Sequence, residues 1–323
     1  MTRKRPHKAA PAAFSAGWLQ QREPFDAAAR TAAAARLALA ARLAALRPEP
    51  ATPWRVIDLA CGTGANLRWL APRLGGPQQW LVVDHDAALL QRWPQALESA
   101  AGSAADRALD TTPPMTTGPA KRGAHLDAPL RLQGPGYAAA IVRRQIDLAQ
   151  HLEALPWHAA HLVTASALLD LASAHWLRRL VAAAASARVA LLFALSVDGR
   201  QQWQPPDPAD AAVAALFCAH QRRDKGFGPA LGPRAASVLL RALRAAGYHV
   251  HRARSDWRLD SRGDPLALAL QRSLLDGMAT AACEQDPAAA LMVQGWQRRR
   301  RACAAQGSVR VGHLDLLALP PPV

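Results

Sequence analysis

The run Val56-Ile57-Asp58-Leu59-Ala60-Cys61-Gly62-Thr63-Gly64-Ala65-Asn66, followed by Leu81-Val82-Val83-Asp84, decides the fold. A β-branched run ending in an acid, a glycine turn into a helix and a second strand ending in an acid describe a nucleoside-binding βαβ unit. The loop lacks the spacing of a phosphate cradle: Leu67 stands where a GxGxxG motif needs its third glycine, and no GxxxxGK[ST] lysine follows. With Asp58 at the strand end and small residues at 60, 62 and 64, the spacing suits a ligand carrying an ammonium and an adenosine. The glycines let the backbone pass close to it. Asp84, twenty residues after Gly64, is placed to accept both hydroxyls of a ribose. The plainer alternative is an N-cap for the helix that begins near Asp86.

Outward from this unit, the chain reads as strands at 54–60, 79–84, 138–143, 160–165, 187–196, 248–254 and 309–319, with helical segments between them. Strands alternating with helices predict a parallel sheet covered on both faces. Residues 1–13 read as a flexible basic tail, 14–50 as an N-terminal helical segment and 51–323 as the main domain. Within 14–50, Pro24 suits a first helical turn, and Asp26 with Arg30 has the spacing of an ion pair on one helix face.

Three inserts are longer than such connections need. Residues 101–135 hold Pro113-Pro114, Thr116-Thr117-Gly118-Pro119 and Gly134-Pro135-Gly136, which read as a linker at the N-terminal edge of the sheet. Residues 197–232 and 255–308 leave the carboxyl edge, where ligands of open α/β sheets bind. The first is a lid candidate, and the second, helical in pattern, is a candidate substrate wall or packing layer.

Taken together, the motifs resemble the class I S-adenosylmethionine-dependent methyltransferases, over 54–196 in motif and through 319 in strand order. The resemblance implies a Rossmann-like, seven-stranded, mostly parallel sheet with helices on both faces and an antiparallel last strand. S-adenosyl-L-methionine is the implied cofactor, its methionine part held by the loop through Asp58, Ala60, Cys61, Gly62, Gly64 and Asn66. Asp84 is implied to hold the ribose, His85 to lie beside the adenine, and Asp147 with Leu148 to meet the adenine amino group. Ala165, in Leu162-Val163-Thr164-Ala165-Ser166-Ala167-Leu168-Leu169-Asp170, is implied to lie beneath the transferable methyl. Ala60 departs from the family pattern, which has glycine there. Arg22 or Arg30 would reach the cofactor carboxylate, unless they form only exposed ion pairs.

Methyl transfer needs alignment, exclusion of water and, for some acceptors, a base. Asp170 and His220 are the candidates for a base, and Ser166, Asp170, Trp203, Arg222, Asp224 and Lys225 are the candidates for substrate contacts. An Asn-Pro-Pro-Tyr type of signature is absent after the fourth strand, where Thr164-Ala165-Ser166-Ala167 stands, and no cysteine lies there. Both absences weigh against nucleobase methylation.

The formal charge of +15 raises the question of a nucleic-acid partner, but only Lys4, Lys8, Lys121 and Lys225 are lysines and the arginines are scattered along an alanine-rich chain. Arg3-Lys4-Arg5 and Arg298–Arg301 are the local exceptions. A small-molecule acceptor is therefore expected, with a nucleic-acid or protein methyltransferase, a non-catalytic S-adenosylmethionine-binding protein and an NAD-dependent dehydrogenase as alternatives. Cys61, Cys218, Cys283 and Cys303 form no CxxC pair, so neither a metal site nor a disulfide framework is expected. Trp18-Leu19-Gln20-Gln21-Arg22-Glu23 interrupts the N-terminus before a signal-length apolar run, and no stretch is long enough to span a bilayer. A cytoplasmic protein without membrane contact is the expectation, and its oligomeric state is left open.

Overall fold

A computed structural model describes residues 14–47, 49, 52–98, 126 and 128–321. The 1–13 tail and residues 101–125 of the linker-like insert lie outside the described residues. In chain order the elements are α1 (Ala16–Arg36), α2 (Leu39–Ala45), β1 (Trp54–Leu59), α3 (Ala65–Leu74), β2 (Gly76–Asp84), α4 (Ala87–Gln91), β3 (Leu130–Gly134) and β4 (Tyr137–Gln145). Then follow α5 (Leu148–His151), β5 (Leu162–Ser166), α6 (Ala174–Ala187), β6 (Ala190–Gln204), α7 (Asp210–Gln221) and α8 (Ala235–Ala245). The chain closes with β7 (His249–Arg254), β8 (Trp257–Asp260), α9 (Pro265–Gln285), α10 (Ala290–Cys303) and β9 (Ser308–Leu319). The architecture is mixed α/β and Rossmann-like, divided into two compact units: residues 40–165, and residues 1–39 with 166–323.

In the 40–165 unit, β1 pairs in parallel with β2 on one side and β5 on the other, and β2 pairs in parallel with β4. Strand β1 is buried at all but one position, Arg55, as a strand covered on both faces must be. The register sets Asp58 beside Val82 and Thr164, so the carboxyl ends of β1, β2 and β5 meet. β3 is antiparallel to β4 and belongs to the insert read as a linker. Leu130-Arg131-Leu132-Gln133 alternates apolar and polar, and Gly134-Pro135-Gly136 turns it back into Tyr137, with Gly136 at φ 76°. The composition of the whole insert hides this hairpin.

In the other unit, β9 is antiparallel to β6, β7 and β8, which bears out the reversed final strand. Both β3 and β8 lie outside the seven expected strands. β6 runs on to Gln204, so 197–204, read as the start of a lid, is strand. Asp198-Gly199-Arg200-Gln201-Gln202 disguises it: the register against β9 shifts twice, between Phe193 and Ser196 and between Val197 and Gln201. At the first shift Leu195 takes φ 54°, and its N–H is received by the buried Asp315 carboxylate at 2.8 Å. Thus a bulge that would orphan a buried donor is satisfied by a side chain. Burial pushes the Asp315 carboxyl up to about 6, while Arg30 and Ser255 act to lower it.

The core of this unit joins Trp203, Trp257, Leu259, Leu270, Leu275, Met278 and Trp296. Trp203, a substrate candidate by sequence, is 5% exposed and meets Trp296 edge-on at 6.0 Å. It is a packing residue, because β6 continues far enough to turn it inward. α9 begins at Pro265 behind Asp264, whose carboxylate accepts the Leu266 and Ala267 N–H groups. α1 starts at the Ser15 cap, which places Pro24 inside the helix and not in its first turn. Asp26 pairs with Arg22 at 2.8 Å and accepts the Trp257 indole N–H at 2.8 Å. Arg30 is 2% exposed, so it is not part of an exposed ion pair, and its charge acts on the buried Asp315. The reason is that α1 lies against β8 with this face inward.

Candidate functional site

The cofactor-type candidates all belong to the 40–165 unit, where three strand ends converge on one loop. Asp58 is fully buried and accepts the Asn66 amide at 2.6 Å, and the same amide reaches the Thr164 hydroxyl at 3.2 Å. Asn66 thereby ties the first turn of α3 to β1 and β5. The loop turns on alternate residues in the left-handed region, with Ala60 at φ 51°, Gly62 at 53° and Gly64 at 90°. Three of its N–H groups are used internally: Cys61 donates to Val83 O at 3.0 Å, Gly62 to the Asp84 carboxylate at 2.8 Å and Gly64 to Cys61 O at 3.0 Å. A phosphate cradle needs such groups pointing outward. This loop offers carboxylates instead.

Asp84 is 4% exposed; one carboxylate oxygen accepts the Gly62 N–H and the other the Asp86 N–H at 2.9 Å. The N-cap of α4 is Asp86, not Asp84. Two backbone bonds leave further acceptor positions on the Asp84 carboxylate. His85 stands beside it, Nδ1 at 3.3 Å, and this contact raises the imidazole pKa, with Asp86 and Asp147 adding to the effect. Ile146 donates its N–H to Asp84 O at 2.9 Å and Gln145 its amide to His85 O at 3.0 Å, so the ends of β2 and β4 are locked together. Asp147 caps α5, accepting the Ala149 N–H at 2.9 Å, and Leu148 behind it is buried. Ala165, 1% exposed, lies in register with Leu59.

Three residues shape this site without any signal in the motif. The Trp93 indole donates to Gly62 O at 2.8 Å, and a Cβ added at Gly64 would sit 3.0 Å from its ring. Arg143, 1% exposed in β4, donates to Leu90 O at 2.9 Å. Arg68 turns to Thr63 O at 2.7 Å. Distance in sequence concealed Trp93 and Arg143, whose partners lie thirty-one and fifty-three positions away. Cys61 is buried, and burial followed by the charges of Asp84 and Asp58 pushes its thiol well above the usual range, which disfavours the thiolate.

Ala60 proves to be a conformational departure. A side chain at φ 51° costs about 1–2 kcal/mol, offset in part by the greater flexibility of an unfolded glycine. Ala60→Gly is expected to raise stability by up to about 1 kcal/mol, read as a higher urea midpoint at unchanged slope. A lower midpoint would mean that the methyl makes packing contacts worth more than the strain.

The remaining candidates belong to the other unit. Asp170 sits in a single 3-10 turn, Leu169–Leu171, following Ser166 and the left-handed Ala167. Its Oδ1 has no partner among the described residues, and burial pushes its carboxyl up to about 6 although the nearby Arg22 acts to lower it. The same segment receives the 224–232 loop: Ser173 bridges to Ala230, and Phe227 meets Trp176 edge-on at 5.3 Å. Asp224 holds that loop by accepting the Gly226 and Gly228 N–H groups at 2.8 and 3.0 Å. His220 Nε2 lies 3.0 Å from Glu284, which ties α7 to α9. Burial, with Lys225 nearby, lowers its pKa. Arg222 is exposed and Lys225 half-buried.

His313 was not singled out by sequence. It is 2% exposed, its Nδ1 is 3.1 Å from Val311 O, and its ring lies 5.0 Å from Trp257. Burial lowers its pKa to about 3, so it is neutral when folded and charges near its ordinary value when unfolded. Stability from this group is complete above about pH 6.5 and is lost as pH falls, by about 2 kcal/mol at pH 5. His313→Gln should flatten the fall in melting temperature between pH 7 and 5. An unchanged slope would place the acid sensitivity elsewhere.

Among the described residues no helix is long and apolar enough to cross a membrane, and the four cysteines are free thiols. No family model and no curated relative matches the chain. Solved structures with a similar arrangement include the cyclopropane synthase MmaA2 from Mycobacterium tuberculosis, 11% identical over 88% of this chain and 83% of that one, with a TM-score of 0.39. A SAM-dependent methyltransferase from Geobacter sulfurreducens, in complex with S-adenosyl-L-homocysteine, is 15% identical over 88% and 90% with a TM-score of 0.37. One from Thiobacillus denitrificans, in the same complex, is 15% identical over 87% and 90% with a TM-score of 0.38. At these values the likeness carries no residue across, and the assignment of fold stands on the strand pairings and the loop described above. In fold, the chain is a Rossmann-like α/β protein of the kind its sequence resemblance implies, with a parallel set of strands around β1 and a reversed final strand.

Proposed function

We propose that the protein is an S-adenosylmethionine-dependent methyltransferase acting on a small-molecule acceptor. One observation carries the reading: the β1–α3 loop spends the N–H groups of Cys61, Gly62 and Gly64 on the protein itself and meets its ligand with the buried carboxylate of Asp84. A carboxylate acceptor suits hydroxyl and ammonium groups and disfavours a diphosphate, which separates the reading from an NAD-dependent dehydrogenase. Asp84 would hold the ribose, His85 and the Asp147–Leu148 segment the adenine, and the 58–66 loop the amino-acid part. When bound, S-adenosylmethionine supplies an activated methyl group.

On the acceptor side we assign Asp170 as the base, because an unpartnered carboxylate oxygen with a pKa pushed up to about 6 is suited to take a proton at neutral pH. A small acceptor is the reading we favour; the basic run at the end of α10 is spent within the protein, Arg299 on Asp207, Arg300 on Asp210 and Arg301 on Asp276. Titration calorimetry with S-adenosylmethionine and S-adenosylhomocysteine tests the cofactor; no heat at millimolar ligand would sink it. Binding without turnover of any screened acceptor would leave a non-catalytic binding protein as the better description. Asp170→Asn should lower kcat and remove the acidic limb of the pH–rate profile while cofactor affinity is unchanged.

A further inference from the structure

A groove of about 660 Å³ in the 1–39 and 166–323 unit is lined by Arg36, Arg252, Arg254, Arg258 and Arg310 against one acid, Asp256. We propose that it binds a small molecule bearing two phosphoryl groups on an apolar body. The volume falls within the roughly 300–1,000 Å³ of small-molecule sites.

Charge is the first argument. Asp256 is already shared by Arg310 and Arg200, whose guanidinium lies 2.8 Å from it. Arg252, Arg254 and Arg258 have no carboxylate partner among the described residues, and Arg36 donates only to the Arg254 carbonyl, at 3.0 Å. Five guanidiniums against one carboxylate leave an excess that two phosphoryl groups, each close to two negative charges, would balance. Arg262, Arg299 and Arg301 of the same unit are each matched with an aspartate, whereas the groove brings three arginines without one against a single shared acid.

Placement is the second argument. Arg252 and Arg254 are two residues apart on β7 and therefore share a face, with Ala253 turned inward between them. Arg258 on β8 stands directly opposite Arg310 on β9. Like charges at paired positions repel and are kept only against a cost that an anionic ligand removes. The guanidinium fork is the side chain best matched to phosphoryl oxygens. α1 supplies the other wall through Phe25, Ala28, Ala29 and Ala32, an apolar surface for the rest of the ligand.

Titration of the full chain with tripolyphosphate at low salt is expected to give saturable one-to-one binding. Arg252→Glu/Arg254→Glu and, separately, Arg258→Ala should each weaken it by about tenfold or more. The reversed pair Arg241→Glu/Arg244→Glu, exposed on α8 and outside the groove, should shift it less than about twofold. Unchanged melting and unchanged S-adenosylmethionine binding in the groove variants separate this site from the proposed methyltransferase site. The proposal is overturned if binding does not saturate, if the α8 pair weakens it as much as the groove variants, or if citrate binds as tightly. It is also overturned if a single-stranded oligonucleotide binds these arginines while tripolyphosphate does not.

Discussion

Replacing Asp84 with alanine is expected to weaken S-adenosylmethionine and S-adenosylhomocysteine binding equally, by about two orders of magnitude or more. The loss follows from two hydrogen bonds between hydroxyls and a charged acceptor, each worth about 1.5–3 kcal/mol. Equal loss for both ligands is the signature of a ribose contact, since the two differ only in the transferable methyl. The same substitution strips the Gly62 and Asp86 N–H groups of their acceptor. Each orphaned donor costs about 1–3 kcal/mol if it stays buried, so the melting temperature should fall as well. Asp84→Asn keeps one oxygen for one of those donors and should recover part of the stability and little of the affinity. Calorimetry and thermal denaturation on the same preparations check both; affinity unchanged in Asp84→Ala would remove the carboxylate from the site.

The largest effect on stability alone is expected at Asp210. Its carboxylate pairs with Arg300, whose side chain is 3% exposed, and also accepts the Trp296 indole N–H at 2.8 Å. Arg300 further donates to Pro205 O and lies over the Trp203 ring at 5.2 Å. Asp210→Ala therefore leaves a buried guanidinium without its counter-charge and an indole N–H without an acceptor, a loss of about 3–5 kcal/mol. Because the cost is mostly the stranded charge, Asp210→Ala/Arg300→Met should recover much of it. Chemical denaturation gives both values, and a double variant no better than the single one would show that the pair contributes net attraction.

How much of this was legible beforehand varies with the kind of residue. β1, β2 and the glycine turn were readable because β-branched runs and left-handed glycines are local signals, and Asp58 and Asp84 end those strands as expected. Trp93 was not, since its bond to Gly62 O spans thirty-one positions and no motif marks it. Ala60 stands out in the sequence as a departure from the family's glycine, but that the departure is one of backbone conformation shows only in its φ of 51°. The strand β8 and the far half of β6 were missed because polar residues and register shifts break the alternation that identifies a strand. Trp203 then moved from substrate candidate to core.

The sequence by itself determined the geometry of the β1–α3 loop, because acids and small residues at fixed spacing act through the backbone conformation they impose. Only the tertiary structure decided which charges are spent. Asp210 pairs with Arg300, and Asp256 with Arg200 and Arg310, while the arginines of β7 and β8 are left over. Pairing of charges depends on distance and burial across elements far apart in the chain, and neither quantity is written in the order of the residues.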